Sequence, residues 1–131
     1  MNMRPRICLP LFILLLLAAN GMAQPYILRH LGIEDGLSNN YVRDIAQDRQ
    51  GCIWIATELG LNRFDGCSFT TYKSNSSQLN SDALNVLLYD EAENSLWIGG
   101  KFKGINKLDC YTYEFHDYVP EESIHIDNIV H

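Results

Sequence analysis

The stretch GCIWIATELGLNRFDG at residues 51–66 decides how the chain is read, because a second version, NSLWIGGKFKGINKLDC, returns at residues 94–110. Aligning the two places Trp54 on Trp97, Ile55 on Ile98, Gly60 on Gly104, Asn62 on Asn106 and Asp65 on Asp109. The match runs upstream as well: Leu37, Asn40, Val42, Ile45 and Asp48 fall on Leu79, Asp82, Leu84, Leu87 and Asp90. One residue is inserted before the second Trp and another before the second Gly. A period of roughly 43 residues, with turn residues between short apolar runs, is the signature of a propeller blade or a similar repeat unit.

Each repeat divides into four strands. In the first they are expected at 41–47, 52–57, 61–65 and 68–73, with turns at 48–51, Gly60 and Asp65-Gly66, where Asp and Gly tolerate tight dihedrals. The second follows at 84–89, 96–99, 105–109 and 112–118, after a polar loop SNSSQ at 74–78. In CIWIA both pleat faces are apolar, Ile53 and Ile55 on one and Cys52, Trp54 and Ala56 on the other, and LNVLLY is almost continuously apolar. Such strands are buried on both faces. Blades stacked around an axis provide this, and a meander with one face in water does not. In the fourth strand Tyr111, Tyr113 and Phe115 alternate with Thr112, Glu114 and His116, the pattern of a half-exposed outer strand.

Outside the repeats, YILRHL at 26–31 reads as one more strand, followed by a turn at Glu34-Asp35-Gly36. It resembles residues 69–72, so the chain is expected to enter the fold with the last strand of a blade, a closing strand. At the other end, IHIDNIV at 124–130 aligns with the opening of a third repeat, Asp127 on Asp82 and Ile129 on Leu84. The expected architecture is all-β, a partial β-propeller of about two four-stranded blades, a closing strand and the start of a third blade. Its divisions are 24–36, 37–78, 79–123 and 124–131. The chain ends inside a strand, as expected of a fragment of a longer protein.

The amino terminus reads differently. Arg4 and Arg6, the apolar run 7–19 and the small residues Gly21-Met22-Ala23 form the three regions of a secretory signal peptide, 1–23. The run is short of the roughly 20 residues that span a bilayer core, and Pro10 interrupts it. Cys8 stands at the front of the apolar run and not behind it, where a lipoprotein cysteine would stand. Cleavage leaves 8 Lys and Arg against 16 Asp and Glu, a net charge near −8, which argues against nucleic acid as a partner. Lys101, Lys103 and Lys107 are expected to solvate an outer strand. Cys52, Cys67 and Cys110 remain, an odd number without CxxC spacing. Cys52 reads as a small buried hydrophobe, a Cys52 to Cys67 bridge stays open, and structural zinc is disfavoured.

The pattern D-x-x-G-x-[IL]-W-I-[AG]-T followed by G-[LI]-N-[RK]-[FL]-D resembles the two-component regulator propeller repeat. Asp48, Gly51, Trp54, Ile55, Thr57, Gly60, Leu61, Asn62 and Asp65 carry it; the second copy departs with Asn94 for the first Gly and Gly100 for Thr. The phrase DGLSNNYV at 35–42 is similar to the usual opening of such sensors. The resemblance covers residues 26–131. It implies a hybrid two-component sensor of Bacteroidetes type, with a large periplasmic part of two seven-bladed propellers and a β-sandwich. A transmembrane helix, a histidine kinase core, a receiver and often an AraC-type DNA-binding domain would follow. Such proteins sense oligosaccharides and switch on genes for using them; the same propellers also precede diguanylate cyclases.

No catalytic constellation is legible. His30, His116, His125 and His131 lack the context of a phosphoacceptor, and GGKFKG at 99–104 lacks the ending and the following helix of a phosphate loop. Glu34-Asp35 and Glu121-Glu122 read as solvated turns. Trp54 and Trp97 read as core and not as sugar platforms. The positions that recur, Asp48, Gly51, Trp54, Gly60, Asn62 and Asp65 with Asp90, Trp97, Gly104, Asn106 and Asp109, read as structural, because a ligand site breaks repeat symmetry. No cofactor, metal or catalytic residue is expected, and no ligand residue can be named. The reading is the amino-terminal piece of a periplasmic sensor, partnered by further blades, an oligosaccharide and a second parent subunit. An exported propeller enzyme, of lyase or quinoprotein type, and a structural or adhesive propeller are the alternatives. Two isolated blades would expose an apolar face at each end and associate.

Overall fold

The computed structural model describes residues 26–102 and 104–118. The signal peptide, Lys103 and the third-repeat segment 124–131 lie outside the described residues. The chain divides into two units, Met1–His30 and Leu31–His131. Of the first, the described residues 26–30 carry no secondary structure.

The second unit begins with a turn of 3-10 helix, Ile33–Asp35, closed by Gly36 at φ 110°. Eight strands follow: β1 Val42–Gln47, β2 Ile53–Thr57, β3 Gly60–Phe64, β4 Phe69–Tyr72, β5 Leu84–Asp90, β6 Ser95–Gly100, β7 Ile105–Asp109 and β8 Phe115–Tyr118. They form two antiparallel four-stranded meanders, β1-β2-β3-β4 and β5-β6-β7-β8, one per repeat. These are the two expected blades. Both innermost strands carry the same irregularity, between Val42 and Asp44 in β1 and between Leu84 and Val86 in β5.

Register gives each blade two distinct faces. Asp44, Ala46, Trp54, Ala56, Leu61, Arg63 and Tyr72 share one face of blade 1 by cross-strand pairing, and Ile45, Ile53, Ile55, Asn62 and Phe64 share the other. In blade 2 the Trp face holds Val86, Leu88, Trp97, Gly99, Ile105 and Lys107, and the Ile face holds Leu87, Leu96, Ile98, Asn106, Leu108 and Phe115. The core is the Trp face of blade 1 laid on the Ile face of blade 2. Trp54, Ala56, Leu61, Leu87, Leu96, Ile98, Leu108 and Phe115 form one buried cluster, to which Leu79, Leu84 and Cys110 belong. Each fully buried large apolar side chain contributes about 1.5–3 kcal/mol.

Four local expectations give way to the structure. Residues 26–31 form no strand; a strand needs a partner for its N–H and C=O groups, and no described strand pairs with it. The outer strand of blade 2 starts at Phe115 and not at Thr112. The Asp109 carboxylate accepts the Tyr111 and Thr112 amides at 2.7 and 3.0 Å, and the Tyr113 amide donates to the Asp109 carbonyl at 2.9 Å, so these residues turn before pairing begins. Ile53 and Ile55 are only half-buried, because no described sheet lies on their face. Lys101 lies in the β6–β7 turn and Lys107 on the third strand, so neither solvates the outer one.

Candidate functional site

Two polar fasteners recur with the repeat. Asn62 is fully buried on β3, where its Oδ1 accepts the Ser38 amide at 2.9 Å and the Thr71 hydroxyl at 3.1 Å, and its Nδ2 donates to Ser38 Oγ at 2.8 Å. Asn106 does the same on β7, accepting the Asn80 amide at 2.9 Å and donating to the Gln78 carbonyl and to Asp117 Oδ1. Each ties the segment entering a blade to that blade's third strand. Asp65 accepts the Cys67 and Ser68 amides at 2.8 Å each, as Asp109 accepts Tyr111 and Thr112. These amide bonds hold both carboxyls below the usual carboxylate range.

Other recurring positions diverge. Asp48 is buried, and its carboxylate accepts the Cys52 amide at 2.9 Å and the Trp54 indole N–H at 2.8 Å. Asp90 instead accepts the Ala92 and Glu93 amides of a turn one residue longer. Gly51 has φ 86°, and Asn94 takes the equivalent turn position at φ 48°, which Asn tolerates better than most side chains. Gly60 has φ 128°, and a Cβ there would lie 2.8 Å from the Tyr72 carbonyl oxygen; its counterpart Gly104 has φ 39°. The two tryptophans part most clearly. Trp54 is fully buried, with Tyr72 and Tyr113 rings at 5.9 and 6.3 Å. Trp97 is only half-buried, edge-on to Tyr118 at 5.0 Å and beneath Lys107 Nζ at 5.1 Å. The core reading therefore fits Trp54, while Trp97 stands on a face that no described sheet covers.

Sequence reasoning missed Asp44. Its carboxylate crosses the blade junction to accept the Leu87 amide at 2.8 Å, and also accepts the adjacent Ile45 amide at 2.9 Å. The lone acid of β1, beside Ile45 and Ala46, was the available signal. Further ties across the junction run from the Gly60 amide to the Asp82 carbonyl and from the Arg49 amide to the Tyr89 hydroxyl. Cys52 and Cys110 are buried and Cys67 exposed; all three are free thiols, so the Cys52 to Cys67 bridge is not made. Burial pushes the Cys110 thiol up to about 12.

A cavity of about 530 Å³ opens on the rim between Tyr72, residues 76–78 and residues 113–116, mixing hydroxyl, amide, carboxylate and ring surface. A second, about 350 Å³ and almost wholly apolar, lies on the Trp face of blade 2 between Val86, Leu88, Trp97, Gly99 and Ile105. Among the described residues no group of three or more His, Cys, Asp or Glu could hold a metal ion, and no helix is long and apolar enough to cross a membrane. The arrangement is built to stack blades.

A family model for the two component regulator propeller matches residues 36–58, which run from the Gly36 turn through β2. The matched stretch is one part of the first repeat. Among solved structures, this propeller segment is similar to the extracellular domain of the hybrid two component system BT3049 from B. thetaiotaomicron. The overlay has 44% identity and a TM-score of 0.64, covering 72% of this chain and 14% of that one. The extracellular domain of the one component system BT4673 from the same organism overlays at 29% identity, with a TM-score of 0.49, over 59% of this chain and 11% of that one. Histidine kinase P4 of Formosa agariphila is 37% identical over 65 residues, 50% of this chain and 5% of the kinase. The propeller segment thus spans a small part of the length of each relative.

Proposed function

We propose that this propeller segment is the amino-terminal part of the periplasmic sensor of a two-component signalling protein. The parent is anchored in the inner membrane, detects glycan-derived oligosaccharides and controls transcription through a histidine kinase. The observation that carries this reading is the 44% identity, over 72% of the chain, to the extracellular domain of a hybrid two component system. The kinase relative supports the same output. The described residues contribute stacking and fastening, and no step of catalysis is assigned to them. Ligand contact and pairing of two parent subunits fall to surfaces that differ between blades, because the recurring Asn and Asp positions are occupied by internal bonds.

The test is made on the full-length gene product. Its reading frame beyond the His131 codon is expected to encode further W-I-G repeats, a membrane-spanning helix and a kinase core. Autophosphorylation or a linked transcriptional reporter should respond to one set of oligosaccharides and not to their monosaccharides. A frame with no spanning helix and no kinase core would defeat the proposal. Response to a ligand of another class would retain the sensor and remove the glycan.

A further inference from the structure

The rim cavity of about 530 Å³ lies where the junction between the two blades reaches the surface, and one of its walls departs from the repeat. Three aromatic residues line it. Tyr72 ends the outer strand of blade 1, Phe115 begins that of blade 2 with its ring centroid 5.5 Å from that of Tyr72, and Tyr113 stands in the β7–β8 turn. That turn is longer than its counterpart: six residues, 109–114, separate the paired Leu108 and Phe115, where four, 65–68, separate Phe64 and Phe69. The added length brings Tyr113 and Glu114 to the cavity. Tyr113 has φ 59°, in the left-handed region that a bulky side chain rarely takes, and its amide donates to the Asp109 carbonyl at 2.9 Å. Its ring packs on the Arg63 guanidinium at 4.8 Å and on Trp54 at 6.3 Å.

We propose that this rim cleft binds a neutral saccharide, with sugar C–H faces against the aromatic wall and hydroxyls bonded by Gln78 and Glu114. Aromatic faces take the apolar side of a sugar ring, while amide, hydroxyl and carboxylate groups take its hydroxyl edge. The Gln78 side-chain amide and the Tyr72 and Tyr113 hydroxyls have no hydrogen-bond partner among the described residues, so a ligand can take their bonds. The facing lip is held in place: the Gln78 carbonyl accepts Asn106 Nδ2 at 3.3 Å, and Ser77 Oγ donates to the Lys73 carbonyl at 2.7 Å. Charge selects within the class. Glu114 lines the cavity and no Lys or Arg does, which disfavours sulfated and uronic sugars. A second cavity of about 520 Å³ shares Ser77, Gln78, Phe115 and His116 with the first and continues to Asn80 and Asp117, so a ligand longer than one ring can extend along β8. Both volumes fall within the range of about 300–1,000 Å³ usual for small-molecule sites. The proposal rests on the glycan-sensor reading and adds to it a place and a charge class.

The test titrates the full-length gene product with cellobiose, maltose, xylobiose and mannobiose by isothermal titration calorimetry. Saturable binding of one or more is expected. Tyr113→Gly removes the ring where glycine suits the backbone, so the fold is kept, and it should weaken that binding about tenfold. Gln78→Ala should weaken it about threefold. Tyr111→Ala, in the same turn but outside the cleft, should leave it unchanged, and a uronic disaccharide should not compete. Saturable binding untouched by Tyr113→Gly and Gln78→Ala would overturn the proposal and leave the glycan sensor standing. Failure of all four disaccharides to bind would also overturn it; the sensor reading then stands if the transcriptional reporter still answers to oligosaccharides, and falls with it otherwise. Binding of a short neutral peptide, lost in the same two variants, would assign the cleft to peptide and overturn the saccharide.

Discussion

The Trp faces of the two blades occupy the same register positions and have opposite characters. On blade 1 the column Asp44, Ala46, Trp54 and Ala56 is fitted to a neighbour: small at two positions, with a carboxylate that leaves the blade to cap another blade's amide. On blade 2 the same column reads Val86, Leu88, Trp97 and Gly99, bulkier on the inner strand and lacking any polar reach. The blade frame is therefore conserved by the strand pairing and the Asn fasteners, while each junction is written separately in the residues that face it. Stacking is what the repeat must preserve, and the means of stacking is free to vary.

The largest test of this contrast compares the two tryptophans. Trp54→Ala should cost about 3–5 kcal/mol by urea unfolding, since a fully enclosed ring is lost together with the partner of the Asp48 carboxylate. Trp97→Ala should cost less than half as much. Equal losses would mean that the two faces are equally enclosed.

A smaller effect is expected at the Val86 and Gly99 pair. A Cβ on Gly99 would lie 2.5 Å from Val86 Cγ1, whereas blade 1 accommodates Ala56 beside Asp44. Gly99→Ala should destabilise by about 1–3 kcal/mol through overpacking, and Val86→Ala should recover most of it. Failure of that rescue would separate the two positions and weaken the idea that each column is fitted as a set.

The smallest effect should appear in acid, and should be the same for both blades. Asp65 and Asp109 are held below the normal range by amide hydrogen bonds, so their folded values lie under the unfolded value of about 3.9. The stabilisation is complete above that pH and is lost as pH falls through the folded values. Asp65→Asn and Asp109→Asn, which keep an accepting oxygen, should each flatten the acid limb of the stability curve to a similar small degree. A much larger change at one site would break the equivalence of the two turns.

Much of the frame was legible because strand period and turn chemistry are local. Gly60, Asp65 and Asp109 mark turns, and Trp54 and Ile55 alternate as a strand must, so all eight strands fall within a few residues of their expected bounds. What failed was non-local. Residues 26–31 have the composition of a strand but pair with no described strand, and Tyr111 to Glu114 look alternating yet are drawn into a turn by Asp109. The fate of Trp97 depends on what covers it, which no window around Trp97 contains. Asp44 works through an amide 43 residues away, and Gly99 owes its identity to Val86 on the neighbouring strand.

The two repeats stack face to face through the Trp face of blade 1. Tyr72 of blade 1 and Phe115 of blade 2 meet across that junction at 5.5 Å between ring centroids. A double-mutant cycle with Tyr72→Leu and Phe115→Leu, read by urea unfolding, tests it directly. Stacking predicts a coupling of about 0.5–1.5 kcal/mol, and losses that add to within about 0.3 kcal/mol would contradict it.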